Sequence, residues 1–274
     1  MSKEKKTFYY DDELNDDFAG TSINQCRVDE NFKYVHTNPF WRGCAFLLYY
    51  FVAFPLVWFF ERVIMRVRFV NKKAVKKYRE THYFLYGNHT GWYDAFTPNL
   101  ISLPTRCRII VSADTVSIKG LRNIVQMFGA VPVPTTVRGL RKFSESVDAF
   151  HKNSNITVYP EAHIWPYYTG VRSFSDASFG YAVKYRCPVF AFFTAYTAPK
   201  GFLSCFRKAN VTVYVSDAIF PDEGLSDREA RKNLRDKVYN FMIQKSKMSD
   251  YKVYEYVKRN SQAESEESER SVAN

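Results

Sequence analysis

From residue 82 onward the chain alternates short apolar runs with amphipathic ones, and few architectures accept that rhythm. His82–Gly87, Cys107–Ser112, Ala130–Val133, Ile156–Tyr159, Pro188–Tyr196 and Val211–Ser216 read as strands. Between them, Trp92–Ser102 reads as a helix broken near Pro98, and Ile118–Phe128, Gly139–Lys152, Ser175–Tyr185 and Leu225–Lys247 read as helices. Leu140, Phe143, Val147 and Phe150 recur at helical spacing, and Ser226 or Asp227 suits a helix cap. Strands that alternate with helices predict an α/β fold, a mainly parallel twisted sheet covered by helices.

The stretch before this body obeys another rule. Cys44 through Phe60 is 17 residues without a charge. Spanning a bilayer takes roughly 20 residues, so this is a membrane-associated helical segment at the lower limit of length. Pro55 inside it predicts a kink or a split. Three readings follow: a single short span, a bent pair that dips into one leaflet and returns, or a buried core helix. Arg62, Arg66, Arg68, Lys72, Lys73, Lys76 and Lys77 follow it closely. That skirt suits anionic headgroups and places the body on the cytoplasmic face of the membrane, monotopic or held by one short span.

Charge divides the chain further. The net charge is +11, yet residues 1–30 hold four basic against eight acidic residues. Residues 31–258 hold 33 basic against 16 acidic, and attract polyanions. No nucleic-acid motif is present, so a membrane surface or phosphorylated substrates are the expected partners. The organisation read from these shifts is an acidic mobile arm (1–30), a membrane segment with its basic flank (31–80), a catalytic domain (81–258) and a disordered Ser/Glu tail (259–274). The five cysteines form no close pair, which excludes a disulfide framework and zinc-ligand spacing. The polar, acidic start lacks the apolar run of an export signal.

Two segments carry candidate chemistry. Asn88-His89-Thr90-Gly91-Trp92-Tyr93-Asp94 directly follows the first strand of the body. On one continuous helix a step of five residues turns about 500°, so His89 and Asp94 would diverge. They converge only with His89 in the strand-to-helix loop and Asp94 in the first helical turn. Such loops lie at the carboxyl edge of an α/β sheet, where ligands bind. There a carboxylate can orient one ring nitrogen and leave the other as a base. Tyr159-Pro160-Glu161-Ala162-His163 places a second acidic residue after another strand. A structural hydrogen bond, or a metal site built from His89, Asp94, Glu161 and His163, is the alternative reading of the same residues.

Asn88-His89-x4-Asp94, Gly129-Ala130-Val131-Pro132-Val133, Tyr159-Pro160-Glu161-Ala162 and Cys187-Pro188-Val189-Phe190 resemble the four ordered blocks of the glycerolipid acyltransferases, most closely the bacterial 1-acylglycerol-3-phosphate acyltransferase type. The resemblance spans roughly residues 40–220. It implies an O-acyltransferase in which His89 and Asp94 are catalytic. The acyl donor would be acyl-CoA or acyl carrier protein as co-substrate, with no bound cofactor and no metal. The acceptor would be a lysophospholipid, first of all 1-acyl-sn-glycerol-3-phosphate, giving phosphatidate. Asn88, Glu161 and His163 would then line the acceptor site. Two family arginines that grip the acceptor phosphate are replaced here, by Pro134-Thr135 and by Ala162-His163-Ile164. Arg172 and Arg138 are the expected substitutes, with Arg141 and Lys184 as further candidates.

Overall fold

The structure is a computed structural model, describing residues 6–19, 26–118, 120–201 and 204–259. Among the described residues nine strands run in chain order: β1 (Thr7–Tyr10), β2 (Arg68–Val70), β3 (Phe84–Gly87), β4 (Cys107–Val111), β5 (Ala130–Pro132), β6 (Asn155–Val158), β7 (Val189–Thr197), β8 (Asn210–Val215) and β9 (Glu255–Lys258). Seven of them form one sheet in the order β2-β8-β7-β3-β6-β4-β5. All neighbours in it are parallel except β7 and β8. The alternating pattern therefore becomes the mainly parallel, helix-covered sheet that it predicts.

Phe84 and Tyr86 of β3 enter one buried cluster while Leu85 enters the other, so the central strand is apolar on both faces. That is why it reads as a continuous apolar run rather than an alternating one. Its neighbours are β6 and β7, which brings the ends of all three strands to one carboxyl edge. β3 ends at Gly87, a glycine because the Phe192 ring of β7 lies where a Cβ would stand. The long C-terminal helix Asp227–Ser246 starts at Ser226, whose hydroxyl accepts from the Glu229 N–H in a capping box. The Trp92–Ser102 segment breaks at Phe96, two residues before Pro98. A 3₁₀ turn, Trp92–Ala95, ends at Phe96, and Pro98 sits in the first turn of the helix Thr97–Ser102, where its missing N–H costs nothing.

Three expectations are corrected. First, Pro55 does not split the apolar segment. One continuous helix runs Pro39–Ile64, started by Asn38, whose side chain accepts from the Phe40 and Trp41 N–H groups. A wide π turn over Leu48–Ala53 precedes Pro55 and absorbs its ring. Second, β2 belongs to the main sheet, so the body begins well before residue 81. Third, the described part of the acidic arm is packed. β1 pairs in parallel with β9, making a two-stranded ribbon from the two ends of the chain. Beyond Arg259, the expected disordered tail lies outside the described residues.

The helix Pro39–Ile64 lies against the body along its length. Trp41 stacks on His36 at 4.0 Å, the Tyr49 hydroxyl donates to Asn99 Oδ1 at 2.5 Å, and Phe60 packs on Trp92. Its other face is open, with Phe40, Phe46, Leu47, Phe51, Leu56 and Phe59 each more than half exposed. Only 11% of its most apolar stretch is buried, which rules out a core helix. At 26 residues it is about 39 Å long, enough to cross a bilayer by length and composition.

Candidate active site

Loop 88–91 leaves β3, and the 3₁₀ turn Trp92–Ala95 follows at once. His89 therefore sits in the loop and Asp94 in the turn, and the two side chains meet. His89 Nδ1 lies 3.0 Å from Asp94 Oδ2. The same oxygen accepts from the Thr90 N–H at 2.6 Å and the Gly91 N–H at 2.9 Å. An oxygen that already takes two main-chain donors acts as acceptor toward the ring, so Nδ1 carries a proton toward Asp94 and Nε2 is the nitrogen turned away from it. The Asp94 side chain is fully buried, whereas that of His89 is 19% exposed. Nε2 is thus the open end of a rigid pair.

Aromatic groups fix that geometry. The Tyr159 ring stacks on the imidazole at 4.5 Å, and its hydroxyl donates to the Asp94 carbonyl. Thr90 Oγ1 and the Tyr196 hydroxyl are hydrogen-bonded at 2.7 Å, and Tyr196 is bonded in turn to Tyr93. Burial pushes the Tyr159, Tyr93 and Tyr196 phenols well above their ordinary range, so all three stay protonated. Sequence reasoning assigned roles to none of them. Their signal was the aromatic excess, 24 Phe and 20 Tyr, which has no address until the fold supplies one.

The remaining expected site residues are placed differently. Asn88 is buried and turned to β7, donating to the Thr194 carbonyl and accepting the Thr194 N–H at 2.8 Å. It anchors the loop to β7. Glu161 is buried beneath the loop. Its carboxylate accepts the His89 N–H and the Arg172 N–H, both at 3.2 Å. Burial raises its pKa, opposed by the Arg172 charge. Arg172, expected to meet an acceptor phosphate, has a side chain only 1% exposed. Its guanidinium lies 3.4 Å from Glu161, donates to the Glu13 and His163 carbonyls, and covers the Trp165 ring at 5.0 Å. A guanidinium so occupied is closed to a headgroup. His163 turns to Asp17, Nδ1 to Oδ2 at 3.3 Å. Arg138 is exposed, at the start of the helix Gly139–His151 and beyond the carboxyl end of β5. Of the other candidates, Lys184 pairs with Asp148 and Arg141 with Glu145. Of the four side chains of the metal alternative, His89 and Asp94 are bonded to each other while Glu161 turns to Arg172 and His163 to Asp17, and no group of three His, Cys, Asp or Glu placed to hold a metal occurs among the described residues.

Glu61 is a buried carboxyl that sequence reasoning passed over. It follows the apolar run and looks there like the first surface charge. The structure turns it inward, fully buried, with Oε1 accepting from the Thr97 hydroxyl at 3.1 Å and Oε2 without a partner among the described residues. Burial, reinforced by the Asp94 charge and opposed by the Thr97 bond, pushes Glu61 up to about 8 from an ordinary 4.5. A raised carboxyl favours the fold fully below its unfolded pKa, and that contribution is lost as pH climbs through the folded one. Relative to Glu61→Gln, wild-type stability should fall between pH 4.5 and about 8, at up to about 1.4 kcal/mol per pH unit. Denaturant melts of both proteins across that range check it, and parallel curves would refute it.

Residues 66–194 match the family model Acyltransferase. That segment, just under half of the chain, is similar to the acyltransferase domain. Among solved structures it resembles the 1-acyl-sn-glycerophosphate (LPA) acyltransferase, PlsC, from Thermotoga maritima, with a TM-score of 0.50 and 17% identity over 78% of this chain and 91% of that one. At that identity the likeness speaks to the fold. No curated protein matches the chain in sequence. The matched segment opens just after the apolar helix and closes within β7. It therefore includes the His89–Asp94 pair, Tyr159 and Glu161.

Proposed function

We propose that the protein moves an acyl group from a thioester, acyl-CoA or acyl carrier protein, to a free hydroxyl of a lysophospholipid, with 1-acyl-sn-glycerol-3-phosphate the leading acceptor. The observation that carries this reading is the open Nε2 of an imidazole held from behind by a buried carboxylate. In this reading Nε2 takes the proton from the acceptor hydroxyl as its oxygen attacks the thioester carbonyl carbon. Asp94 supports the imidazolium that forms, as in a Ser–His–Asp triad whose serine is replaced by the substrate. Collapse of the tetrahedral adduct breaks the C–S bond, and the imidazolium returns the proton to the departing thiolate. The product is an ester and a free thiol. With Arg172 buried, Arg138 is the cation left to meet an acceptor phosphate, helped by the helix N-terminus behind it.

The apolar helix supports a place for this chemistry. Contacts at both of its ends lay it along the body, so the reading favoured is a helix bedded in one leaflet with its open face in the acyl chains. Each Lys or Arg of the flank near an anionic surface adds about 1 kcal/mol. Burying a large apolar side chain adds about 1.5–3 kcal/mol. Replacing Phe51, Leu56 and Phe59 together by Asp should lower partitioning onto anionic vesicles by at least ~10³-fold without unfolding the body. Co-sedimentation checks this, and undiminished pelleting of the triple variant would reject it.

The acceptor is tested by supplying a labelled acyl thioester with a panel of lyso-lipids and identifying the product by mass. Acylated 1-acyl-sn-glycerol-3-phosphate is the result expected. Hydrolysis to free fatty acid with every acceptor would reject the transfer reading.

A further inference from the structure

The expected mobile arm is packed directly behind the proposed base. Trp165 is completely buried, and its main-chain N–H donates to the His89 carbonyl at 3.2 Å. Its indole N–H donates to the Asp16 carbonyl at 2.8 Å. Its ring stacks on Tyr256 of β9 at 4.9 Å and meets Tyr10 of β1 at 4.7 Å. One residue thus ties the catalytic loop to both ends of the chain. A second path runs beside it. Glu161 holds the His89 N–H, Arg172 pairs with Glu161, and Arg172 donates to the Glu13 carbonyl. The His89 main chain is therefore gripped at its N–H and at its carbonyl, and each grip is backed by a carbonyl of residues 13–16.

We propose that the N-terminal segment and the β1–β9 ribbon form a clasp that positions His89, with Trp165 as the positioning residue. Resting on the acyl-transfer reading, the clasp adds that the acidic segment is part of the active site rather than an appendage to it. Its carbonyls and rings hold Trp165 and Arg172, and its Asp17 and Asp11 carboxylates add pairs with His163 and Arg259. Small displacements of a catalytic group are expensive: about 1 Å can cost roughly 10²-fold in rate. Loss of the clasp should then lower kcat and leave KM nearly unchanged, because its contacts run to the main chain of the base.

The test compares full-length protein, a variant lacking residues 1–19, and Trp165→Phe, which keeps a ring but loses the indole N–H. Turnover is measured well below each melting temperature. We expect kcat to fall about 10–100-fold in the truncated protein with KM within about threefold, and a synthetic peptide of residues 6–19 to restore kcat in trans. A folded truncation whose kcat stays within threefold of full-length protein, or one the peptide does not rescue, overturns the clasp. If the truncation does not fold, Trp165→Phe decides: lower kcat at unchanged KM supports the proposal, and wild-type kcat ends it. Inactive full-length protein would instead refute the acyl-transfer reading.

Discussion

His89→Ala should cut acyl transfer by about 10²–10⁴-fold at unchanged thermal stability, the usual contribution of a positioned general base. The loss should fall on kcat, since the imidazole acts on the proton in flight more than on bound substrate. Stability should hold because the ring is partly exposed at 19%, and what it loses is a stack on Tyr159 and one bond to Asp94. The main-chain grips on residue 89 do not need its side chain. Steady-state kinetics of purified protein with a scan of melting temperature check both halves. Wild-type turnover in the variant would remove His89 from the chemistry.

Substitution of Asp94 separates charge from geometry. Asp94→Ala should be nearly as damaging as His89→Ala, about 10²–10⁴-fold in kcat, because the imidazole then loses its orientation and its counter-charge together. It should also destabilise the fold. The Thr90 and Gly91 N–H groups would be left buried without an acceptor, at about 1–3 kcal/mol each. Asp94→Asn should retain more. Its amide oxygen can replace Oδ2, keep all three donors and preserve the tautomer, while its NH₂ occupies the Oδ1 position that has no partner among the described residues. What it lacks is the negative charge that steadies the imidazolium. The expected order of kcat is therefore wild type, then Asn, then Ala. Equal losses in Asn and Ala would mean that charge alone matters, and a milder loss in Ala than in Asn would contradict the account.

Much of the site was legible because its chemistry is local. His89 and Asp94 are five residues apart, and the geometry of a strand followed by a tight turn brings them together. β3 was legible because a strand buried on both faces is apolar throughout. Other features were hidden for physical reasons. The single helix Pro39–Ile64 depends on a π turn that no propensity reveals. Arg172 reads as a surface cation, since nothing within ten residues shows that Glu13 and Glu161 enclose it. The arm reads as mobile because its charge dominates its composition. The contacts that dock it reach across the chain: Phe18 N–H to the Ile164 carbonyl, and Phe8 and Phe18 against Tyr256. Glu61 was missed for the converse reason, as a charge that ends an apolar run and nevertheless turns inward.

The central claim is that one imidazole hands the acceptor's proton to the departing thiol with no acyl group resting on the protein. Rapid-quench turnover, with free thiol, ester and intact protein mass followed together, tests it most directly. The account predicts thiol released one-for-one with ester, only when lyso-lipid is present, and an unmodified protein mass throughout. A burst of thiol equal to the enzyme concentration without acceptor, with the protein heavier by one acyl group, would contradict it.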